Sequence, residues 1–169
     1  MPEFIFNTTT LSNFAAVNRL DLLTNRYQGR AFTTLEVGDE LRRGLQAGYT
    51  YLDPVCRQLS HLNPAGWLVT LVPETEQEHR LRAEFDDRLD IGEASCLALA
   101  VTRGLTFITD DRAARQLAEA HAVPLTGTLG ILLALVRDDV LPLANANQLL
   151  AEMIRQRYRS PITRLDDLL

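Results

Sequence analysis

With 169 residues, 46% of them hydrophobic and 23% charged, the chain has the size and composition to bury one substantial core as a single globular domain spanning residues 1–169. Its net charge of −5 at pH 7 excludes a protein that coats nucleic acid through bulk positive charge. No stretch approaches the roughly 20 apolar residues that span a bilayer. The first apolar run breaks at Asn7 with no basic segment before it, so a cytoplasmic location is expected.

Residues 3–6 predict a short strand, ended by the polar turn Asn7-Thr8-Thr9-Thr10. Leu11, Phe14, Val17 (or Ala15), Leu20 and Leu23 then recur at helical spacing. A second strand is expected at residues 31–33, and Thr33 with Glu36 fits a capping box ahead of Val37, Leu41 and Leu45. Pro64 and Gly66 turn the chain into a third strand, Leu68 to Val72, which Pro73 stops. Glu74 to Arg88 mixes acids with arginines and reads as a solvated helix or loop without a functional role. Asp90-Ile91-Gly92 introduces a helix, Glu93 to Val101, that is apolar on nearly every face and must be buried. Leu105 to Thr109 is the fourth strand, Asp111 to Ala120 a helix, and Val123 to Leu125 the fifth strand. Gly127-Thr128-Leu129-Gly130 opens a helix running to Val136, and Asn145 to Arg159 is amphipathic, within a C-terminal helical extension over residues 142–169. Strands alternating with helices predict a three-layer α/β/α sandwich around a mostly parallel sheet of about five strands.

In such a sheet, ligands bind just beyond the carboxyl ends of the strands. The first strand ends at Asn7 and the fourth at Asp110-Asp111, while Glu40 and Glu93 ride on the helices that follow the second and third strands. Together these residues read as an acidic pocket for a hard divalent cation such as magnesium or manganese, which prefers oxygen ligands and keeps several waters. Each also has a local alternative. Glu93 could stabilise a helix dipole, Asp110 could cap the following helix, Glu40 could pair with Arg43 on an exposed face, and Asn7 could satisfy a turn. A cation held by these acids would serve phosphodiester hydrolysis. Cys56 and Cys96 are too few for a disulfide framework, Cys96 reads as a buried structural thiol, and His61, His79 and His121 show no ligand spacing. All seventeen basic residues are arginine, whose forks match phosphate oxygens, although genome composition accounts for the absence of lysine as well.

From Phe4 to about Leu141 the motifs, in this order and spacing, resemble a PIN domain. Residues 4–14, Phe-Ile-Phe-Asn-Thr-Thr-Thr-Leu-Ser-Asn-Phe, are similar to the family's apolar strand followed by Asp-Thr/Ser-x-x-Leu. Val37-Gly38-Asp39-Glu40-Leu41 is similar to its Glu-bearing second segment, and Asp90-Ile91-Gly92-Glu93-Ala94 to its Gly-Glu-Ala helix. Ile108-Thr109-Asp110-Asp111-Arg112 and Gly127-Thr128-Leu129-Gly130 are similar to its Thr-Asp-Asp and closing segments.

The resemblance implies a Mg2+- or Mn2+-dependent nuclease acting on RNA. Glu40, Glu93 and Asp111 would be its metal-site acids, with Asp110 beside them and Thr8 or Thr9 nearby. Many members are toxins of toxin–antitoxin pairs and many form dimers, so RNA, an antitoxin protein and a second copy are the implied partners. The sequence departs from the pattern at Asn7, where the family has Asp, and a large fall in metal affinity or rate is expected there. The competing reading is a catalytically silent PIN-like domain that binds nucleic acid or protein. A third is a phosphatase-like hydrolase with Asp110 as nucleophile.

Overall fold

The computed structural model describes residues 1–169. Five strands, β1 (Phe4–Phe6), β2 (Ala31–Thr34), β3 (Val69–Leu71), β4 (Thr106–Ile108) and β5 (Leu125–Thr126), form one sheet in the order β3-β2-β1-β4-β5. Every pairing is parallel. The central strands are apolar in unbroken runs rather than in alternation, as burial of both faces requires: Ile5, Phe6, Phe107 and Ile108 are fully buried. The chain winds outward from β1 through β2 to β3, then returns to place β4 on the other side of β1. The β1/β4 junction is therefore the point where strand order reverses, the place where open α/β sheets form ligand crevices.

Helices α1 (Thr8–Ala16), α2 (Leu20–Tyr27), α3 (Leu35–Gln46), α4 (Asp53–Cys56), α5 (Glu76–Asp86), α6 (Ile91–Arg103), α7 (Arg112–Ala120), α8 (Thr128–Arg137) and α9 (Leu143–Arg155) complete the α/β/α layers, with 3-10 turns at Thr50–Leu52 and Leu165–Leu168. As its composition demands, α6 is the buried helix: every residue from Gly92 to Ala100 is buried, and it packs on β1, β2 and β4. Its Cys96 thiol is wholly buried and donates to the Phe6 carbonyl (3.5 Å), in keeping with a structural role. The C-terminal residues Leu150, Met153 and Leu165 belong to the same hydrophobic core as the sheet.

Four local expectations are corrected. The periodicity through Leu23 is split between α1 and α2, because the chain turns at Asn18 in the left-handed region (φ 57°), which Asn tolerates better than most residues. The cap of α3 is Thr34, whose hydroxyl accepts from Val37 N (3.3 Å). Thr33 remains in the strand and donates to the Phe6 carbonyl (2.8 Å). The solvated helix expected in the stretch 74–88 is present as the mostly exposed α5; within it Glu78 and Phe85 are buried, and Glu78 closes a box with Thr75 and pairs with Arg103 at 2.8 Å. Finally, α9 begins at Leu143 and stops at Arg155, so Gln156 to Arg159 leave the helix. The fifth strand lies at Leu125–Thr126, overlapping the expected one only at Leu125.

Candidate functional site

Register across the switch point sets the centre of the site. Phe6 pairs with Ile108, and Asn7 N donates to the Ile108 carbonyl (3.0 Å), so Asn7 lies beside Thr109 as the two strands end. The Asn7 side chain is 1% exposed. Its Nδ2 donates to Thr109 Oγ1 (3.2 Å), while its Oδ1 is buried with no donor in the protein. Asn7 precedes α1 but makes no side-chain cap there, which removes the turn-satisfying role as an account of this oxygen. A buried acceptor without a partner costs about 1–3 kcal/mol unless something outside the protein pairs with it.

Residues from four segments meet at this point. Asn7, Glu40, Glu93, Asp110 and Asp111 all line one cleft of about 1080 Å3. Glu40 arrives from α3, where Thr8 donates to its Oε2 (2.9 Å) in place of an Arg43 pair. Gly92 makes room for it: a Cβ there would stand 2.9 Å from Glu40 Oε2. Glu93 closes a capping box at the start of α6, taking a bond from Asp90 N on Oε2 (3.3 Å) while its own N donates to Asp90 Oδ1 (2.8 Å). The local role expected for Glu93 is thus real, and its Oε1 is left for the cleft.

The neighbouring aspartates divide the work. Asp111 caps α7 with Oδ2, which accepts from Ala114 N (2.8 Å). Asp110 caps nothing in α7. Its Oδ1 takes the Thr128 N–H at the start of α8 (2.8 Å), and its Oδ2 takes Thr10 Oγ1 (2.9 Å), Asn13 Nδ2 (3.2 Å) and the Thr128 hydroxyl. With both oxygens engaged, Asp110 ties the start of α1 to α8. A Cβ on Gly127 would lie 2.5 Å from its Oδ1, so glycine is needed for this approach. A carboxylate held by four donors is a poor nucleophile, and the phosphatase-like reading has no support here.

The charges in the cleft oppose one another. Burial, and then the charges of Asp90 and Asp111, push the Glu93 carboxyl up to about 8. Burial also raises Glu40, with Asp90 adding to the effect and the Thr8 bond opposing it. As placed, no three of the His, Cys, Asp and Glu side chains are grouped closely enough to share one ion. The donor set nonetheless suits a hard cation: carboxylate oxygens that destabilise each other's charge, and one buried amide oxygen lacking a partner.

A family model described as a PIN domain matches residues 3–169. The chain belongs to the PIN-domain family. Its fold is similar to that in the crystal structure of PAE2754 from Pyrobaculum aerophilum, with a TM-score of 0.53 at 20% identity, over 80% of this chain and 98% of that one. No curated protein matches the chain. PIN domains are in general metal-dependent nucleases. The sequence reading missed Asp90, although Asp-x-x-Glu ahead of an apolar run is a helix-start signature. It also missed Thr10 and Asn13 on α1 and Thr128 on α8, the donors to Asp110, which no local spacing reveals because both helices lie far from Asp110 along the chain.

Proposed function

We propose that this PIN domain is a divalent-metal-dependent ribonuclease whose activity is lowered by Asn7. The observation that carries the proposal is the unpartnered Asn7 Oδ1, buried in the same cleft as Glu40, Glu93 and Asp111. Magnesium or manganese would be held by Asn7 Oδ1 and by the oxygens of Glu93, Asp111 and Glu40 that no protein donor occupies, with water completing the shell. When bound, the ion supplies a water of lowered pKa and positive charge beside the scissile phosphate.

The protein's own residues prepare that chemistry. Thr109 Oγ1 accepts from the Asn7 amide nitrogen, which leaves the amide oxygen as the atom without a protein partner. Thr8 fixes Glu40. Asp90 fixes the first turn of α6 and so the position of Glu93. Asp110 holds α8 against α1 and keeps the cleft's edge in place.

Asn7 also favours a second reading, a domain that binds nucleic acid without cutting it, since an amide oxygen brings no negative charge. One unit charge about 4 Å from another is worth on the order of 4 kcal/mol at an effective dielectric near 20. The deficit in metal affinity is therefore large. Cleavage of single-stranded RNA with manganese, compared between the natural chain and Asn7→Asp, separates the readings. Slow cleavage that Asn7→Asp accelerates by 100-fold or more supports the nuclease. Cleavage by Asn7→Asp alone makes this chain a silent member, and cleavage by neither removes the nuclease reading.

A further inference from the structure

The cleft has two walls that the metal-site residues leave unused. On one side, the 3-10 turn at Thr50–Leu52 packs against α1 and α3 through the buried Leu52 and leaves Tyr49 and Tyr51 57% and 37% exposed. Their ring centroids are 6.1 Å apart at 60°, an edge-to-face pair that places exposed aromatic surface on the cleft wall. On the other side, the chain leaves α9 through Arg157 in the left-handed region (φ 80°). Arg157 N is bonded to the Ile154 carbonyl (3.0 Å) and Tyr158 N to that of Met153 (2.9 Å). This fixed turn, which an arginine adopts only when its surroundings hold it there, sets Arg157 and Arg159 along the cleft. Arg112, at the start of α7, lines the same side. All three arginines are exposed, and none takes part in any of the ion pairs in the molecule. Arg112 and Arg159 also border an adjoining cleft of about 650 Å3, so the cationic edge runs on past the acidic floor.

We propose that these walls form a track for a single strand of RNA, with phosphates along Arg157, Arg159 and Arg112 and an unpaired base stacked on Tyr49 and Tyr51. For the identity of the strand this rests on the nuclease reading. Free guanidinium forks pair with phosphate oxygens, and aromatic faces take bases of any sequence. A nucleotide offers an anion and a π-face together. An acidic peptide offers only the anion, and meets the carboxylates of the floor. A duplex keeps its bases stacked inside and cannot reach the tyrosines.

Binding in EDTA, where metal-dependent cleavage is absent, tests the track. Fluorescence anisotropy of a labelled oligouridylate at low salt is compared among the natural chain, Tyr49→Ala/Tyr51→Ala, Tyr49→Phe/Tyr51→Phe and Arg157→Gln/Arg159→Gln, each checked by circular dichroism for an unchanged fold. The alanine pair is expected to weaken binding about 10-fold or more, and the phenylalanine pair to restore it. The glutamine pair should flatten the dependence of log affinity on log salt by about 1.4, at roughly 0.7 per lost phosphate contact on a single strand. A matched DNA strand and an RNA duplex serve as competitors, and the duplex should compete poorly. Equal binding by all four proteins, equal competition by the duplex, tighter binding of the DNA strand than of the RNA, or no binding of the single strand overturns the track. The outcome is independent of the nuclease reading: binding that follows this pattern without cleavage leaves the walls assigned and removes the enzyme, whereas cleavage with binding indifferent to the walls does the reverse.

Discussion

Glu93 gives the sharpest test of the proposed metal site, because two opposite pH dependences follow from one carboxyl. Burial beside Asp90 and Asp111 pushes it up to about 8, whereas the unfolded chain should titrate near 4.5. Between those values the folded protein holds a proton that the unfolded chain has lost, so metal-free stability should fall as pH rises from about 4.5 to about 8. Metal affinity should move the other way, since a ligating carboxylate must be deprotonated. With a pKa of about 8, one Glu93 in about 100 is ionised at pH 6 and about half at pH 8, so manganese affinity should rise roughly 50-fold over that interval. Calorimetry in buffers of different ionisation enthalpy measures both the affinity and the proton released. Thermal melting in EDTA measures the stability slope. Glu93→Gln should remove this contribution from both. Manganese binding in the natural chain with an affinity flat from pH 6 to 8 would refute the placement of Glu93 among the ligands.

The adjacent aspartates should separate cleanly. Asp110→Asn leaves several buried or half-buried donors without their charged acceptor and should cost about 3 kcal/mol in urea unfolding. Asp111→Asn keeps an N-cap that Asn serves as well as Asp, so stability should change by less than about 1 kcal/mol while manganese binding is lost. Gly92→Ala drives a methyl to 2.9 Å from Glu40 Oε2 and should weaken metal binding with the fold retained by circular dichroism. Arg103→Met strands the buried Glu78 carboxylate, which Arg103 now holds down at about 2, and should destabilise the protein at pH 7 by about 3 kcal/mol. Because that pair contributes stability above about 4.5 and loses it as pH falls toward 2, the natural and Arg103→Met proteins should melt closer together at pH 3 than at pH 7.

The sheet and the buried helix were legible because each is a solvation statement. Phe4-Ile5-Phe6 and Leu105 to Ile108 are too apolar to face water on either side, and α6 is too apolar to face it anywhere. Boundaries were less legible where one residue's conformation decides them. Nothing in the run from Leu11 to Leu23 marks Asn18 as the break, since its left-handed backbone is settled by the return of Arg19 N to the Phe14 carbonyl (2.9 Å). The shift of the α3 cap from Thr33 to Thr34 has the same origin. Both threonines suit a cap, and the pleat of β2 decides which hydroxyl faces Phe6 and which faces the helix.

The floor of the cleft was legible and its walls were not, for a related reason. Asn7, Glu93 and Asp111 stand at strand ends or helix starts, where the chain's direction is dictated by the sheet, so identity and position along the sequence were enough to bring them together. In the sequence Arg157 and Arg159 continue an amphipathic pattern, whereas in the structure Tyr158 packs against the core behind a left-handed Arg157 and both arginines line the cleft. The pair Asp110-Asp111 shows the limit within the floor itself. Two adjacent carboxylates look equivalent on paper, yet four donors claim the first, while the second gives one oxygen to Ala114 N and keeps the other free. The count of donors around each oxygen, rather than the presence of the acid, is what distinguishes an aspartate that can take a cation from one that holds the fold around it.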